Sequence, residues 1–174
     1  KLAYVTSIGG HHDLRRVLRF LVSDRIETPA GRLALKAHDY GLVVVLHSHI
    51  EHFVDPADRD TMSEALRLWL HEERPLAIAR ASQRTTESGE RLFRLVEAGR
   101  LAELAPDLMR LLDAKERELT ELSPAGRLAH VDVPVYLLHG SADSVIPPSE
   151  AEWADRELDG APHQALVSPL LEHV

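Results

Sequence analysis

The sequence predicts a mixed α/β fold in which the strands of a parallel sheet are interrupted by a large helical insertion. Continuous apolar segments of strand length occur near both ends of the chain, a pattern typical of strands that are buried on both faces. Between them, from about residue 36 to residue 122, every readable pattern is helical. The expected order is therefore strand, helical block, strand, helix and strand, which is part of an α/β domain.

The composition fits one globular domain and excludes several classes of function. The chain has 174 residues, of which 44% are apolar, and its formal net charge of -8 leaves no broad basic surface for nucleic acid. Cysteine is absent, which excludes disulfides, thiolate metal sites and a cysteine nucleophile. The longest apolar run, LVVVL, is far shorter than the roughly 20 residues of a spanning helix, so we expect no membrane span. The compartment is not fixed by these features, with a slight preference for the cytoplasm.

The first segment predicts a strand followed by an amphipathic helix. LAYVTSIGG is rich in β-favouring residues and ends in a glycine pair, as a short buried strand does before a tight turn. Asp13 is a suitable N-cap for the next segment, and Leu14, Val17 and Leu21 recur at helical spacing. The chain opens directly on this strand, and we expect further strands of the sheet in a preceding part of a larger protein.

The middle of the chain predicts a block of helices. GLVVVLHSHI is ambiguous because its β-branched residues conflict with the surrounding helical length, and we interpret it as a buried helix. Asp55 and Pro56 offer a cap and a first-turn residue for a helix through Leu66 and Leu70, and Pro106 marks a break near residues 101–112.

The sheet resumes after the helical block. PVYLLH is an apolar run bounded by Pro134 and Gly140, which suits a buried strand. Ser149 and Glu152 have capping-box spacing at the start of the next helix, and HQALVSP gives one more strand. We therefore divide the chain into a partial sheet core, 1–10 with 128–174, and a helical cap or lid, 11–127.

Asp143 and His173 follow two successive strands and are the candidate catalytic residues. Reacting groups in open parallel sheets gather beyond the carboxyl ends of the strands, and one strand-helix-strand unit can bring both side chains to that edge. A carboxylate that fixes the tautomer and orientation of an imidazole makes it a general base. The alternative is that Asp143 only forms a turn, because SADS is favourable turn chemistry, and that His173 is incidental.

The segment HGSADSVIP with a downstream histidine resembles the C-terminal third of α/β-hydrolase-fold enzymes, and AYVTSIGGHHDLRRVLRFL more loosely resembles the strand after the nucleophile elbow and the entry to a helical cap in uncharacterised bacterial members. In enzymes of this fold an HGxxDxxxP segment carries the acid of a catalytic triad and a histidine after the last strand carries the base. The resemblance implies Asp143 as the acid and His173 as the general base. The resemblance covers about 55 residues well and extends loosely to AYVTSIGGHHDLRRVLRFL. In the helical block it is limited to the helical character.

The nucleophile of that family is not visible in the chain. The family's serine normally lies in G-x-S-x-G on a strand-to-helix turn, and this pattern is absent. The nearest segment is VTSIG, in which Ser7 precedes Gly9 but Val5 replaces the small residue that a tight elbow needs. We expect the elbow in a segment before Lys1, where an aspartate nucleophile, as in some enzymes of this fold, remains an alternative.

The eleven histidines also suggest metal binding, most clearly in HSHIEH. On a helix His47 and His49 point to different sides, while His49 and His52 are neighbours. Catalytic zinc sites usually have three protein ligands and structural ones four, so we interpret these histidines as solvated or hydrogen-bonded and predict no metal and no cofactor. The alternative is a metal-dependent helical protein built on this segment.

Together these features predict the C-terminal part of a serine-type α/β hydrolase with a helical cap. Its substrate would be a small acyl ester, with Ser-His-Asp chemistry shared between an upstream serine, His173 and Asp143. The alternative is a non-catalytic module of the same fold that binds a ligand or a partner through its helical cap.

Overall fold

A computed structural model describes residues 2–171 and divides the chain into two compact units. The sheet unit comprises residues 1–37 with 109–174, and the helical unit comprises residues 38–108. The helical unit is shorter than the predicted cap, 11–127, because the first helix belongs to the sheet unit. The functional content of that prediction, a lid over a catalytic core, stays a prediction.

The regular elements follow the predicted order except for two short strands after the first helix. The elements are β1 (Val5–Ile8), α1 (Leu14–Ser23), β2 (Arg25–Thr28), β3 (Gly31–Ala34), α2 (Asp39–Ser48), α3 (Arg59–Leu70), α4 (Arg74–Ala81), α5 (Glu87–Glu97), α6 (Ala105–Ala114), α7 (Glu116–Leu122), β4 (Val135–Gly140), α8 (Ser149–Glu157) and β5 (His163–Ser168). Short 3-10 turns lie at Ile50–His52, Pro56–Asp58, Leu101–Leu104 and Leu128–His130. None of the described helices combines the length and the apolar character needed to cross a bilayer.

The sheet unit is built on a parallel three-stranded sheet with the order β1-β4-β5. This confirms the mixed α/β class and the parallel sheet. On one face Val135 and Leu137 of β4 pack against Ala154 of α8 and Leu158 directly after it, and the cluster is buried. The helix α8 thus connects β4 to β5 and covers the sheet between them, as a parallel crossover must.

The opposite face of the sheet is exposed among the described residues. Ile8, Leu138 and Leu166 are partners in register across the three strands, and Ile8 and Leu166 are 72% and 55% exposed. Tyr4 and Tyr136 lie edge to face on the same side, with ring centroids 6.0 Å apart. Parallel sheets normally have both faces covered, so this face departs from that pattern.

A two-stranded antiparallel hairpin, β2 and β3, was not predicted from the sequence. Its strands pair from Arg25 with Ala34 to Thr28 with Gly31. Most of its side chains are exposed, so it lacks the apolar run that indicated the other strands. The hairpin is joined to α8 by Trp153, whose Nε1 donates to the carbonyl oxygen of Glu27 at 3.0 Å.

The helical unit confirms the interpretation of GLVVVLHSHI as a buried helix, α2. Leu46, Met62 and Leu66 of α2 and α3 are fully buried, and the two helices are in contact. Trp69 and Phe93 pack edge to face with ring centroids 5.8 Å apart. The apolar positions that repeat at helical spacing therefore form core, as such stripes usually do.

Asp58 is a buried carboxylate of the helical unit that accepts several hydrogen bonds. It is 1% exposed and accepts from the backbone N–H and the hydroxyl of both Thr85 and Thr86, at 2.7–3.1 Å. Burial alone would raise the pKa of Asp58, but these hydrogen bonds outweigh it and lower the pKa below its ordinary value. Thr86 in turn caps α5 by accepting from the backbone N–H of Gly89.

The predicted helix caps have mixed outcomes. Asp13 caps α1 as predicted, because its carboxylate accepts from the backbone N–H of Arg15. The capping box at Ser149 is wrong: α8 begins at Ser149, after Pro148, and its N-cap makes no side-chain hydrogen bond. Asp55 holds the N-cap position of the 3-10 turn Pro56–Asp58, with Pro56 in the first turn as predicted, but its carboxylate accepts from the hydroxyl of Ser88 and makes no capping hydrogen bond.

Candidate active site

The carboxyl ends of β1, β4 and β5 bring three turns to one edge of the sheet. The backbone N–H of Gly9, just beyond β1, donates to the carbonyl oxygen of Leu138 in β4 at 2.9 Å. Directly after β4, the backbone N–H of Ser141 donates to the carbonyl oxygen of Ser168, the last residue of β5, at 3.0 Å. This is the edge at which open parallel sheets place their reacting groups.

Asp143 lies at this edge, three residues beyond the central strand β4, and is 2% exposed. Its Oδ1 accepts from the backbone N–H groups of Val145 and Ile146, each at 2.9 Å. Both bonds are local, so the turn itself fixes the orientation of the carboxylate. A Cβ on Gly9, which has φ +60, would lie 3.9 Å from Oδ2, so the turn after β1 passes beside the acid.

His139 is a second buried group at this edge that the sequence analysis did not single out. Its side chain is 1% exposed, and its Nε2 lies 2.9 Å from the carbonyl oxygen of Ile146. Since a carbonyl oxygen can only accept, Nε2 carries the proton and donates it. The same nitrogen is 3.7 Å from Oδ2 of Asp143, so His139 fixes the loop that holds the acid.

The segment after β5 passes beside Asp143. A Cβ on Gly140 would overlap the carbonyl oxygen of Leu171, and the Cβ of Asp143 lies 3.8 Å from the same point. Leu171 and Asp143 are therefore on the same side of Gly140. His173, the predicted base, lies outside the described residues, two positions after Leu171.

Ser7 is inside β1 and not on a strand-to-helix turn. It pairs in register with Leu137, and its hydroxyl lies where a Cβ on Gly10 would be. The left-handed residue of this segment is Gly9, two positions later, whereas an elbow places its strained backbone at the nucleophile. The geometry of a nucleophile elbow is therefore not present at Ser7.

Glu150 joins the start of α1 to α8 and could not be found from the sequence. It is 0% exposed, and its carboxylate accepts from the backbone N–H groups of His12 and Asp13 at 2.9 and 2.8 Å. It also accepts from Arg16 at 2.6 and 3.0 Å, and the Arg16 guanidinium lies over the ring of Trp153. An anion at the first turn of a helix is stabilised by its unpaired N–H groups and dipole.

Glu157 extends this network to the loop before β4. Its carboxylate is 2.6 Å from Nε2 of His12 and accepts from the backbone N–H groups of Gly126 and Leu128. Burial would raise the pKa of Glu157, but the bonds from Gly126, His12 and Leu128 outweigh it and lower the pKa. Glu150 and Glu157 thus hold the turn after β1 and the loop before β4 onto one helix.

A cavity of about 210 Å³ lies on the α8 face of the sheet. It is lined mainly by apolar side chains of β4 and α8, with Ser7, His11 and His139 as its polar members. Nε2 of His11 is buried and has no hydrogen-bonding partner within 2–171. Asp143 does not line this cavity, so the cavity and the acid are separate features that share only His139.

Comparison with known proteins finds no matching family model, no matching curated protein and no matching solved structure.

Proposed function

We propose that this chain supplies the acid and the histidine of a serine-type α/β hydrolase that cleaves small carboxylic esters. The observation that carries the proposal is the passage of Leu171 beside Asp143 at the carboxyl edge of the sheet. Two further residues reach about 7 Å, which is enough to bring the imidazole of His173 to the carboxylate. A buried acid at the carboxyl edge of the sheet, followed in sequence by a histidine after the next strand, is the pattern that the triad requires.

In the proposed reaction Asp143 positions His173 and does not transfer a proton itself. His173 takes the proton of an attacking serine, an acyl-enzyme forms as the alcohol leaves, and water then releases the acid by the same route. Because Val145 and Ile146 hold Oδ1, the carboxylate keeps one orientation while His173 gains and loses charge. The imidazolium that forms is stabilised by the nearby carboxylate.

The serine of this proposal lies in a segment that precedes Lys1 in the parent protein. Ser7 lacks elbow geometry, since it lies within a strand and Gly9 is the residue with positive φ. The exposed face formed by Ile8, Leu138 and Leu166 also favours a larger domain, because parallel sheets are normally covered on both sides.

Labelling with a serine-directed fluorophosphonate tests the proposal. We expect the parent protein to be labelled on a serine before Lys1, and the 174-residue chain to remain unlabelled. Labelling of Ser7 in this chain would contradict the placement of the nucleophile. A parent protein that neither reacts nor hydrolyses p-nitrophenyl esters would favour the non-catalytic binding module.

Asp143→Asn in the parent protein tests the role of the acid. The amide can keep the Oδ1 contacts but stabilises the wrong imidazole tautomer, so we expect kcat for ester hydrolysis to fall by about 10⁴-fold. The matched control is Asp132→Asn, an exposed aspartate before β4, which should leave kcat unchanged. Equal activity of the Asp143 and Asp132 variants would remove Asp143 from the mechanism.

A further inference from the structure

Three metal-ligating side chains meet at the end of α2 in the helical unit. His49 follows the last residue of α2, and Glu51 and His52 lie in the 3-10 turn after it. Oε1 of Glu51 is 3.9 Å from Nδ1 of His49 and 3.5 Å from Nε2 of His52. The three ligand atoms all lie within 4.8 Å of one another.

These separations are close to those of a tetrahedral zinc site. Zinc binds imidazole nitrogen and carboxylate oxygen at about 2.0–2.2 Å, which places neighbouring ligand atoms about 3.3–3.5 Å apart. The Glu51 to His52 distance already has this value, and the others need small side-chain rotations. The three side chains are 28–51% exposed, so they are free to rotate and the site is open to an ion from solvent.

The helix end beside the cluster favours a cation. Nδ1 of His49 lies at the carboxyl end of the ten-residue helix α2, where unpaired carbonyl groups give partial negative charge. Arg59 approaches the turn, but its Nη2 donates to the backbone oxygen of Glu51 at 3.3 Å. The guanidinium is therefore bonded to the backbone of the turn and leaves its carboxylate to the histidines.

We propose that His49, Glu51 and His52 bind one zinc ion, with water at the fourth position. Two imidazoles and one carboxylate suit zinc, whereas calcium and magnesium prefer ligand sets made only of oxygen. The sequence analysis predicted no metal because it considered histidine pairs on a continuous helix. In the structure the helix ends at Ser48, and the following turn adds Glu51 to the pair as a third ligand.

Isothermal titration of the chelator-treated chain with zinc chloride tests the site. We expect one zinc ion per chain from these ligands. His49→Ala and His52→Ala should each weaken binding by at least about 10-fold, since even changes to outer-shell partners of a metal cost that much. His47→Ala is the matched control, because His47 lies in the same segment but outside the cluster, and its affinity should equal that of the unchanged chain.

The proposal fails if the unchanged chain takes up no zinc. It fails equally if the His49, His52 and His47 variants bind zinc with the same affinity, since the metal would then lie on other histidines. Circular dichroism of each variant shows whether the helices are retained, and Glu51→Gln, a nearly isosteric change, should weaken binding without altering the spectrum. Asp143→Asn should leave zinc binding unchanged, so this result is independent of the proposed hydrolase activity.

Discussion

The carbonyl oxygen of Leu171 occupies the space that a side chain on Gly140 would need. Gly140 is the last residue of β4, and its backbone does not have positive φ, so glycine is required here by contact and not by conformation. The absence of a side chain lets the segment after β5 lie against the end of β4. The approach of that segment to Asp143 depends on this contact.

Gly140→Ala should therefore destabilise the sheet unit. The new methyl group must displace the backbone of Leu171, and overpacking of this kind costs about 1–3 kcal/mol. Urea denaturation measures the free energy of unfolding. Gly160→Ala is the control, because a Cβ at Gly160 meets nothing within 4 Å, and it should change stability little or raise it slightly.

Glu150→Gln should destabilise the junction between α1 and α8. The change removes the negative charge that the N–H groups of His12 and Asp13 and the guanidinium of Arg16 share, and Arg16 is only 14% exposed. Breaking a buried ion pair in this way costs about 3 kcal/mol. Glu152→Gln, an exposed change on the same helix, is the control and should cost less than about 0.5 kcal/mol. Equal losses in the two variants would show that the Glu150 contacts do not stabilise the fold.

Asp58→Asn should destabilise the helical unit in a pH-dependent way. At pH 7 we expect a loss of about 2 kcal/mol, because the carboxylate accepts four donors from Thr85 and Thr86 and an amide nitrogen cannot. The pKa of Asp58 is lowered in the folded state from 3.8, so its stabilisation is present above about pH 3.8. The stabilisation is lost as the pH falls through the lower folded-state value.

Urea denaturation of Asp58→Asn and the unchanged chain from pH 7 to pH 3 measures this dependence. The difference in free energy of unfolding should be constant near neutrality and shrink below about pH 4. Asp60→Asn, an exposed change two residues away, should give a smaller difference. A constant difference down to pH 3 would mean that the Asp58 carboxylate is not preferentially ionised in the folded chain.

Gly89→Ala should reverse the usual effect of this substitution. Alanine within a helix is normally about 1 kcal/mol more stable than glycine, but a Cβ at Gly89 would overlap Oδ2 of Asp58. We expect a loss of about 1–3 kcal/mol in urea denaturation. The cost should fall when Asp58 is also changed to alanine, and a cost that is independent of residue 58 would place the clash elsewhere.

Local pattern predicted most elements of the fold but not its long-range polar contacts. The apolar run before Gly140 and the helical spacing after Asp13 depend on neighbours in sequence, and both elements were predicted correctly. The hairpin at residues 25–34 is short and mostly exposed, although Pro29 and Gly31 gave a turn signal that could have indicated it. The predicted capping box is wrong because Pro148 holds the N-cap position of α8. Ser149 is therefore the first residue of the helix and not its cap.

The candidate sites show the same limit. Asp143 was found because the acid, its turn and the preceding strand are adjacent in sequence. Glu150 contacts His12 from the other end of the chain, and no periodicity reports such a contact. The meeting of His49, Glu51 and His52 depends on where α2 ends, and helix ends are the least predictable part of a helix.

The pairing of β1 with β4 also sets the order in which the chain can fold during its synthesis on the ribosome. The helical unit comes from one continuous stretch of sequence and can form while the chain is still emerging. Val5 of β1, in contrast, cannot pair with Val135 until residue 135 has been synthesised. During that interval β1 lacks its partner β4, and closing so long a loop is slow. The nascent chain therefore carries β1 without its β4 partner through most of its translation, and an open strand edge can pair with another chain.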